Sequence, residues 1–518
     1  MNWNVGYIAK KRADLTPDKT AFFYEDTPIT YEKLNHGVNR FSHFLLEKGL
    51  KKGDRISVLL YNCPEFLEIY LAAAKLGLIF VPLNFRLVGP ELEYQLNNAG
   101  SRLLVFHDSL IENFAEIRSE TDIEKDKFIF LKSGVPDAPV CPDWALDYGE
   151  TLKDSSTDEP TIGKPVMLDD PLAIVYTSGV TGNPKGATFS HQQTYSKSYQ
   201  VILYTDMRST DIFLAQLPLF HSGGLFILAT PVLSCGAAFV MRKNFDGALF
   251  AQDIQRYKAD IVFGLTTQWR FALQSGELDK IDTSHVRVTV GAGERTPLTL
   301  FEDMAQRGLP LQAGFGQTEN SFMMFMPKED VQSKMGSIGK PGFFSEIWIA
   351  DAQGGSLPPG KIGEIVAKGP IVMSGYWNMP QTTAETIVDG VLHTGDLGYR
   401  DEDGFFYIVD RVKDMYRSGG ENVYPAEIEK VLADHPKIAD VSIIGVSDEK
   451  WGETGKALIV LRKGEKFTEE EMREFLTGKV AKYKFPKHME FIKSMPMTGS
   501  GKIKKSELKK KYGGVKLS

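Results

Sequence analysis

Residues 176–186 read Tyr176-Thr177-Ser178-Gly179-Val180-Thr181-Gly182-Asn183-Pro184-Lys185-Gly186. Glycines let a backbone approach an anion closely, hydroxyls and exposed amides donate hydrogen bonds, and a lysine supplies a compact positive charge. The apolar run from Leu172 to Tyr176 predicts a buried strand that leads into this loop. Lys185 is followed by Gly186 and not by Ser or Thr, so the loop is not of the common G-x-x-x-x-G-K-[ST] type. The pattern predicts a phosphate-binding loop for a nucleotide, with a flexible Gly/Ser-rich linker as the alternative.

The composition is that of an ordinary globular protein. A chain of 518 residues with 42% hydrophobic content is too long for one core and predicts two or three domains. Its net charge of -7 argues against a nucleic-acid partner, because such binders usually present a basic surface. Three cysteines lie far apart, so neither a disulfide framework nor a zinc site is indicated. The first residues lack a secretory signal, and we therefore expect a cytoplasmic protein.

A long stretch without charged side chains lies between Asp211 and Arg242. Its length raises the alternative of a membrane span. Pro218, Gly223 and Pro231 are among the residues that interrupt it, and they disfavour a continuous spanning helix. We therefore predict a buried strand, loop and helix around a pocket, and no integral membrane span.

Apolar periodicity divides the chain into two parts. Asn62 is predicted to cap a helix that starts near Pro64, and the strand signals that follow alternate with helices, which indicates a parallel-rich α/β sheet. Beyond about residue 411 the units become short and predict a small α+β domain. The prediction is thus one domain over residues 1–410 and a second over 411–518, with a hinge near Lys413.

Seven separated segments together resemble the adenylate-forming superfamily of acyl-CoA synthetases, peptide-synthetase adenylation domains and beetle luciferases. The resemblance covers essentially the whole chain, and the segments occur in the order of the superfamily. They are Thr177 to Gly186, Pro218 to His221, Gly291 to Glu294, Gly314 to Glu319, His393 to Asp396, Asp410 to Asn422 and Pro496 to Lys502. The resemblance implies an α/β fold: a large N-terminal adenylate-forming domain of packed α/β subdomains, plus a small mobile α+β C-terminal domain.

The resemblance also implies which residues bind ATP and Mg²⁺. Asp396 and Arg411 would hold the ribose, Thr318 the α-phosphate, and Glu319 the Mg²⁺ ion, which favours a hard oxygen ligand. The phosphate loop would contribute Thr177, Ser178, Gly179, Thr181, Gly182 and Lys185. The two glycine-rich segments would flank the adenine and line the acyl pocket with Gly291, Ala292, Gly293, Gly314, Phe315, Gly316 and Gln317.

Four further assignments concern catalysis and the switch between its two steps. His221 would stand at the pocket mouth near the reacting carboxylate. Lys502 would bridge that carboxylate and the α-phosphate, where a cation stabilises developing negative charge. The C-terminal domain would then rotate about Lys413, bringing Ser418, Gly419 and Gly420 beside the thiol of coenzyme A.

Three positions depart from the usual pattern of the superfamily. Val180 removes a hydroxyl from the phosphate loop, and Phe315 stands where tyrosine is commoner. Glu294 places a carboxylate by the adenine or the pocket wall, which affects acid selection. Val180 is expected to change ATP affinity more than the type of reaction, and Phe315 removes a possible hydroxyl contact near the adenine or phosphate.

The resemblance predicts an ATP-dependent carboxylate–CoA ligase that forms an acyl-adenylate and then a thioester. A fatty acid is the first choice of substrate, with Phe226, Trp269 and Phe315 as candidate pocket walls or, alternatively, plain core residues. An aryl or alicyclic acid is the alternative, as is an enzyme that loads a separate carrier protein. A luminescent monooxygenase shares the motifs, and a non-catalytic relative should have lost Lys502 or Glu319. We also expect a homodimer, because dimers are common in the superfamily.

Overall fold

The computed structural model describes residues 3–87, 89–134, 138–177, 184–293, 296–418, 421–448, 451–477, 479–480, 482–498 and 502–513. Within these ranges the strands form four sheets. The α-helices are Tyr7–Leu15, Tyr31–Glu47, Pro64–Leu76, Gly89–Ala99, Tyr148–Leu152, His191–Thr205, Thr230–Cys235, Gly247–Arg256, Thr266–Ser275, Leu298–Gln306, Pro380–Thr386, Pro425–Ala433, Glu469–Leu476 and Lys505–Tyr512. A π-helix covers Gly223–Ala229.

One sheet carries the predicted phosphate loop. Its strands follow the order Gly375–Tyr376, Lys185–Ser190, Pro171–Thr177, Ile79–Pro82, Arg55–Leu59, Ser101–His107, Phe128–Leu131 and Leu146–Asp147. The pairs from Pro171–Thr177 to Leu146–Asp147 are parallel. Pro171–Thr177 is the buried strand that the apolar run before the loop predicts.

A second sheet carries both glycine-rich segments. Its strands follow the order Lys340–Pro341, Met324–Phe325, Gln312–Phe315, Val288–Ala292, Ile261–Leu265, Ile212–Leu214, Ala238–Met241, Thr20–Tyr24 and Thr27–Thr30. The central pairs are parallel, from Gln312–Phe315 to Thr20–Tyr24. The carboxyl ends of parallel strands meet at one edge of a sheet, which is where α/β proteins bind ligands. Alternating helices and parallel strands confirm the predicted α/β class.

The stretch without charges folds into short elements and not into one long helix. It contains the strand Ile212–Leu214, the π-helix Gly223–Ala229, the helix Thr230–Cys235 and the strand Ala238–Met241. Among the described residues, no helix combines the length and the apolar character that crossing a membrane requires.

The prediction for Asn62 is wrong. The residue before the helix Pro64–Leu76 is Cys63, which caps it without a side-chain hydrogen bond. Asn62 instead accepts a hydrogen bond of 2.8 Å from the amide of Leu219 and donates one of 3.0 Å to the carbonyl of Leu217. A capping side chain bonds an amide two or three residues later, whereas the partners of Asn62 lie more than 150 residues away in the sequence. Asn62 therefore fixes the segment that carries His221.

The remaining sheets lie on either side of the predicted hinge. The third has the order Glu346–Ala350, Gly363–Lys368, Val391–Arg400 and Ile387–Val388, with Phe406–Arg411 also paired to Val391–Arg400. The fourth has the order Glu421–Val423, Tyr416–Ser418, Gly452–Leu461 and Ile438–Asp448, with His488–Phe491 paired to Gly452–Leu461. The fourth sheet and its helices enclose a separate core that includes Tyr416, Ile428, Ile443, Ile459 and Met472. The residues after the predicted hinge thus have their own hydrophobic core.

Candidate active site

The predicted phosphate loop connects two antiparallel strands. Thr177 lies opposite Lys185 in this pair, and the hydroxyl of Thr177 donates a 3.4 Å hydrogen bond to the carbonyl of Lys185. The loop residues between them include Ser178, Gly179, Val180, Thr181 and Gly182, which lie outside the described residues. The two ends of the loop are therefore positioned, and its contacts with phosphate stay a prediction.

Tyr376 connects the end of this loop to Glu319. The Lys185 ammonium lies 5.1 Å from the centroid of the Tyr376 ring. The Tyr376 hydroxyl donates a 2.7 Å hydrogen bond to Oε1 of Glu319. Burial raises the pKa of Tyr376, and the negative charge of Glu319 raises it further, so the hydroxyl keeps its proton and acts as a donor. The sequence had singled out Lys185 and Glu319 without indicating the tyrosine between them.

The two glycine-rich segments lie side by side at the carboxyl ends of parallel strands. Ala292 is opposite Gly314, and Gly293 has a φ of 91°. Only glycine fits at Gly316, because a Cβ atom there would overlap the carbonyl oxygen of Ser321. Backbone with few or small side chains is therefore brought together at one edge of the sheet. Glu294 lies outside the described residues, whereas Phe315 is partly buried against the core of the third sheet.

Asp396 accepts hydrogen bonds from two side chains. Nε2 of Gln317 donates to Oδ2 at 2.5 Å, and Nε of Arg411 donates to Oδ1 at 2.8 Å. The strands Val391–Arg400 and Phe406–Arg411 pair so that Asp396 lies directly opposite Arg411. Burial raises the pKa of Asp396, and the positive charge of Arg411 opposes that shift. Gln317, Asp396 and Arg411, predicted from separate motifs, therefore form one hydrogen-bonded group.

Lys502 approaches this group from the C-terminal region. Its positive charge acts on both His221 and Asp396. His221 is exposed, yet the protein surrounding its ring lowers the pKa of the imidazole, and Lys502 lowers it further. The backbone amide of Lys502 donates a 3.0 Å hydrogen bond to the hydroxyl of Thr498. A neutral imidazole and a cation thus lie near each other at the same site.

One lysine of the last helix contacts the predicted hinge, and another contacts the helix Pro425–Ala433. Nζ of Lys509 donates to the carbonyl of Lys413 at 2.8 Å, and Nζ of Lys505 lies 2.7 Å from Oε1 of Glu429. Two lysines of this helix therefore have protein partners and are not merely solvated. Surrounding protein lowers the pKa of Lys413, with smaller effects from the cations Arg411 and Lys185. Ser418 is buried at the end of a strand that follows the hinge, while Gly419 and Gly420 lie outside the described residues.

A buried lysine that the motifs do not include lies beside these segments. Lys197 is 2% exposed and sits on the helix His191–Thr205. Its Nζ atom lies 3.3 Å from the ring centroid of Phe189 and 4.7 Å from that of Phe226. A sequence signal existed, since Lys197 falls on the same helical face as the apolar Val201 four residues later.

The candidate pocket walls separate into two groups. Phe226 packs edge-on against Phe189, with ring centroids 5.1 Å apart, next to the Lys197 amine. Trp269 is fully buried in a different core, where its indole donates to the carbonyl of Val290 at 3.0 Å. Its ring packs against Phe250. Trp269 and Phe226 are both fully buried core residues, but Phe226 follows the motif that ends at His221, and Phe315 lies within a motif itself.

Comparison with known proteins now decides the family. The AMP-binding enzyme family matches residues 9–377, and the C-terminal domain of AMP-binding enzymes matches residues 427–502. A feruloyl-CoA synthase from Amycolatopsis sp is 35% identical over 99% of this chain and 100% of its own length. The chain belongs to the AMP-binding enzymes. FadD13, a long-chain-fatty-acid–CoA ligase from Mycobacterium tuberculosis, is another relative, 32% identical over 99% of both chains.

On the evidence of these relatives, this AMP-binding enzyme is an ATP-dependent, AMP-forming acid–CoA ligase. Among solved structures, ATP-bound MatB from Rhodopseudomonas palustris superposes with a TM-score of 0.88 at 29% identity, covering 99% of this chain and 100% of that one. Apo MatB superposes with a TM-score of 0.78 at 30% identity and the same coverage. The relative placement of elements in this AMP-binding enzyme is thus closer to that of the ATP-bound structure.

The side chains of this AMP-binding enzyme fit the way Mg²⁺ is usually held. In the described part of the chain, no three His, Cys, Asp or Glu side chains form a metal-binding group. Mg²⁺ needs no such cage, because it keeps several waters and binds through one or two carboxylates together with substrate phosphates. Tyr376 donates to Oε1 of Glu319, so Oε2 is the oxygen that would hold the ion.

Proposed function

We propose that this enzyme joins a carboxylic acid to coenzyme A through an acyl-adenylate, with the two half-reactions at the site described above. The observation that carries this proposal is the hydrogen-bonded group of Gln317, Asp396 and Arg411, which joins three of the predicted motifs at one place. An arrangement suited to the first half-reaction is also consistent with the greater similarity to ATP-bound MatB.

In the first half-reaction, the substrate carboxylate attacks the α-phosphate of ATP. The bond from the carboxylate oxygen to phosphorus forms as the bond to the pyrophosphate oxygen breaks. Lys502 reduces the repulsion between the two anions, and Asp396 with Arg411 orients the ribose. Glu319 and Thr318 hold the phosphate side, where a magnesium ion, when bound, neutralises phosphate charge.

In the second half-reaction, the thiol of coenzyme A attacks the activated carbonyl. The carbon–sulfur bond forms as the bond from the carbonyl carbon to AMP breaks. Lys502 no longer has a role at this stage, and rotation about Lys413 withdraws it while Ser418 and its neighbours approach. The separate core of the C-terminal region supports movement as a unit.

The identity of the acid is the finer part of the proposal. The sequence predicts a fatty acid first and an aryl or alicyclic acid second. The edge-on pair Phe189 and Phe226, with the buried amine of Lys197 beside it, favours the aryl alternative. The similarity to a feruloyl-CoA synthase also favours an aryl acid. We therefore place an aryl acid ahead of an unbranched fatty acid.

Pyrophosphate release with Mg·ATP tests the proposal across two series of acids. One series contains fatty acids of graded length, and the other contains benzoate, cyclohexane carboxylate and cinnamate, each with and without coenzyme A. We expect turnover that requires coenzyme A and is fastest in the ring series. Pyrophosphate exchange without a CoA thioester would indicate a carrier-protein acceptor, and a maximum among the fatty acids would restore the first prediction.

A further inference from the structure

The Lys197 ammonium group is buried among aromatic rings. Within the described residues its Nζ atom has no hydrogen-bond partner. The ring faces of Phe189 and Phe226 offer it only cation–π contacts. Taking a charged amine out of water without hydrogen bonds is unfavourable, and proteins rarely keep such a residue for packing alone.

Other buried lysines of this chain show what a structural lysine looks like. Lys75 is buried too, and its Nζ atom donates to Asn39 at 2.6 Å and lies 2.8 Å from a carboxylate oxygen of Glu159. Lys127 pairs with Glu124 at 2.8 Å. Lys197 differs from both because its surroundings supply aromatic carbon in place of oxygen. Packing therefore does not account for it.

Lys197 also lies where segments of the candidate active site converge. Phe189 belongs to the strand that begins with Lys185 of the phosphate loop, and Phe226 lies five residues after His221. The carboxylate of Glu319 is within electrostatic range, and it opposes the lowering of the Lys197 pKa by burial. The amine is thus next to three segments that the proposed reaction uses.

We propose that Lys197 is a specificity-determining residue that hydrogen-bonds an oxygen acceptor on the acyl part of the acid. The inference rests on the proposed function and narrows its substrate class. The acceptor is a second carboxylate, a phenolic oxygen or a carbonyl, and the interaction is strongest when the oxygen is anionic. A saturated fatty acid leaves the amine unpaired, so the enzyme discriminates against it.

The flanking rings restrict the shape of the group that carries the acceptor. Phe189 and Phe226 meet edge to face, with the amine over the face of Phe189. Aromatic rings prefer offset or edge-on aromatic neighbours, so this pair favours a planar ring over an alkyl chain. An acid with an oxygen-substituted aromatic ring therefore satisfies the amine and the aromatic pair together.

Matched acids test this directly. The pairs are cinnamate against its 2-, 3- and 4-hydroxy derivatives, and octanoate against octanedioate. For each pair, the ratio of kcat/KM between the oxygen-bearing acid and its parent is measured for the native enzyme and for Lys197→Met. We expect one ratio to exceed one in the native enzyme and to fall roughly 10- to 100-fold in the variant. Lys197→Arg should keep more of that ratio than Lys197→Met.

A loss of stability alone would lower kcat/KM for both members of a pair and leave the ratio unchanged. Lys33→Met serves as the matched control, because Lys33 is exposed on the helix Tyr31–Glu47. An unchanged ratio in Lys197→Met overturns the inference while the proposed function stands. If the variant does not fold, the native ratios decide, and values below one for every pair overturn it. Silence of the native enzyme with every acid overturns the proposed function and this inference together.

Discussion

Residues that reach the candidate active site from before the predicted hinge lie in the part of the chain with the large cores, whereas those from after it lie in the part with small separate cores. On the first side Lys197 and Asp396 are buried, and each is surrounded by strands or helices of that part. On the second side Lys502 and Lys413 are exposed. Their surroundings are largely polar, as the hydrogen bond from Lys509 to the Lys413 carbonyl illustrates.

This difference separates two tasks. Selecting an acid requires a pocket of fixed shape, and close packing gives that rigidity. The proposed replacement of Lys502 by the segment of Ser418 between the half-reactions requires a C-terminal domain that moves without exposing much apolar surface. Contacts across the junction are polar, such as the 2.8 Å hydrogen bond from the Ala426 amide to Asp410. The fixed side therefore suits recognition, and the C-terminal side suits the switch between steps.

Lys502→Ala should have the largest effect on the activity of the enzyme. Loss of a cation that stabilises developing charge should slow acid-dependent pyrophosphate release by about 10²- to 10³-fold. A supplied acyl-adenylate should still be converted to thioester at a rate near that of the native enzyme. Lys510→Ala, at an exposed position of the last helix, is the control. Equal losses in both half-reactions would show that Lys502 has no step-specific role.

Lys413→Pro addresses the switch itself. Proline fixes φ, so it should disfavour rotation while sparing adenylation. The amides of Val412 and Asp414 donate to the carbonyls of Gly395 and Arg411, and the substitution removes neither donor. Every 1.4 kcal/mol against the rotated state slows thioester formation about tenfold. Single-turnover assays of each half-reaction measure the effect, with Lys413→Ala separating loss of charge from loss of torsional freedom. Survival of both half-reactions in the proline variant would refute the rotation.

The sequence predicted those features that depend on local patterns. The strand before the phosphate loop and the alternation of helices with parallel strands follow from apolar periodicity, and the structure confirms the α/β class. Directly after the strand Gln312–Phe315, the neighbouring backbone at Gly316 excludes a side chain. Such requirements act between residues close in sequence, which is why single motifs reveal them.

Contacts between residues that are distant in the sequence could not be predicted from local patterns. Asn62 has cap-forming chemistry, yet it bonds to residues more than 150 positions away. Tyr376 meets Glu319 only because its strand pairs with the strand that follows the loop. Lys197 was detectable as a charge on an apolar helical face, but its aromatic partners come from other elements. The roles of the predicted site residues stay predictions, although the fold brings Gln317, Asp396 and Arg411 together.

Gly316→Ala tests how rigid the fixed side is. The added Cβ meets the Ser321 carbonyl, and backbone has to move to admit it. We expect a loss of roughly 1–3 kcal/mol in stability and weaker ATP binding, measured by thermal unfolding and by the KM for ATP. Gly163→Ala is the matched control, because a Cβ at that position has open space around it. Similar behaviour of the two variants would mean that the backbone at Gly316 tolerates displacement.

Glu68→Gln should have the smallest effect, confined to the stability of the large core. Burial raises the pKa of Glu68 from its ordinary value of 4.5 to about 8, and Glu65 adds to the shift. Between these two pH values the folded chain holds a proton that the unfolded chain has released. Stability therefore falls as pH rises through this window. The Tyr148 hydroxyl, 3.0 Å from a carboxylate oxygen of Glu68, can also donate to glutamine.

Glutamine at position 68 removes this titration and leaves the hydrogen bond in place. The loss of stability between pH 5 and pH 8 should accordingly be smaller in Glu68→Gln, by about 1–2 kcal/mol, because Glu68 is only partly shielded from water. Thermal midpoints at the two pH values measure this. Subtracting the pH dependence of the native enzyme from that of the variant removes the contributions of the other titratable groups, which both proteins share. Both half-reactions should proceed at native rates, since Glu68 contacts the core and not the residues of the active site. An identical pH dependence in the two proteins would mean that Glu68 is ionised in the fold and that water reaches it.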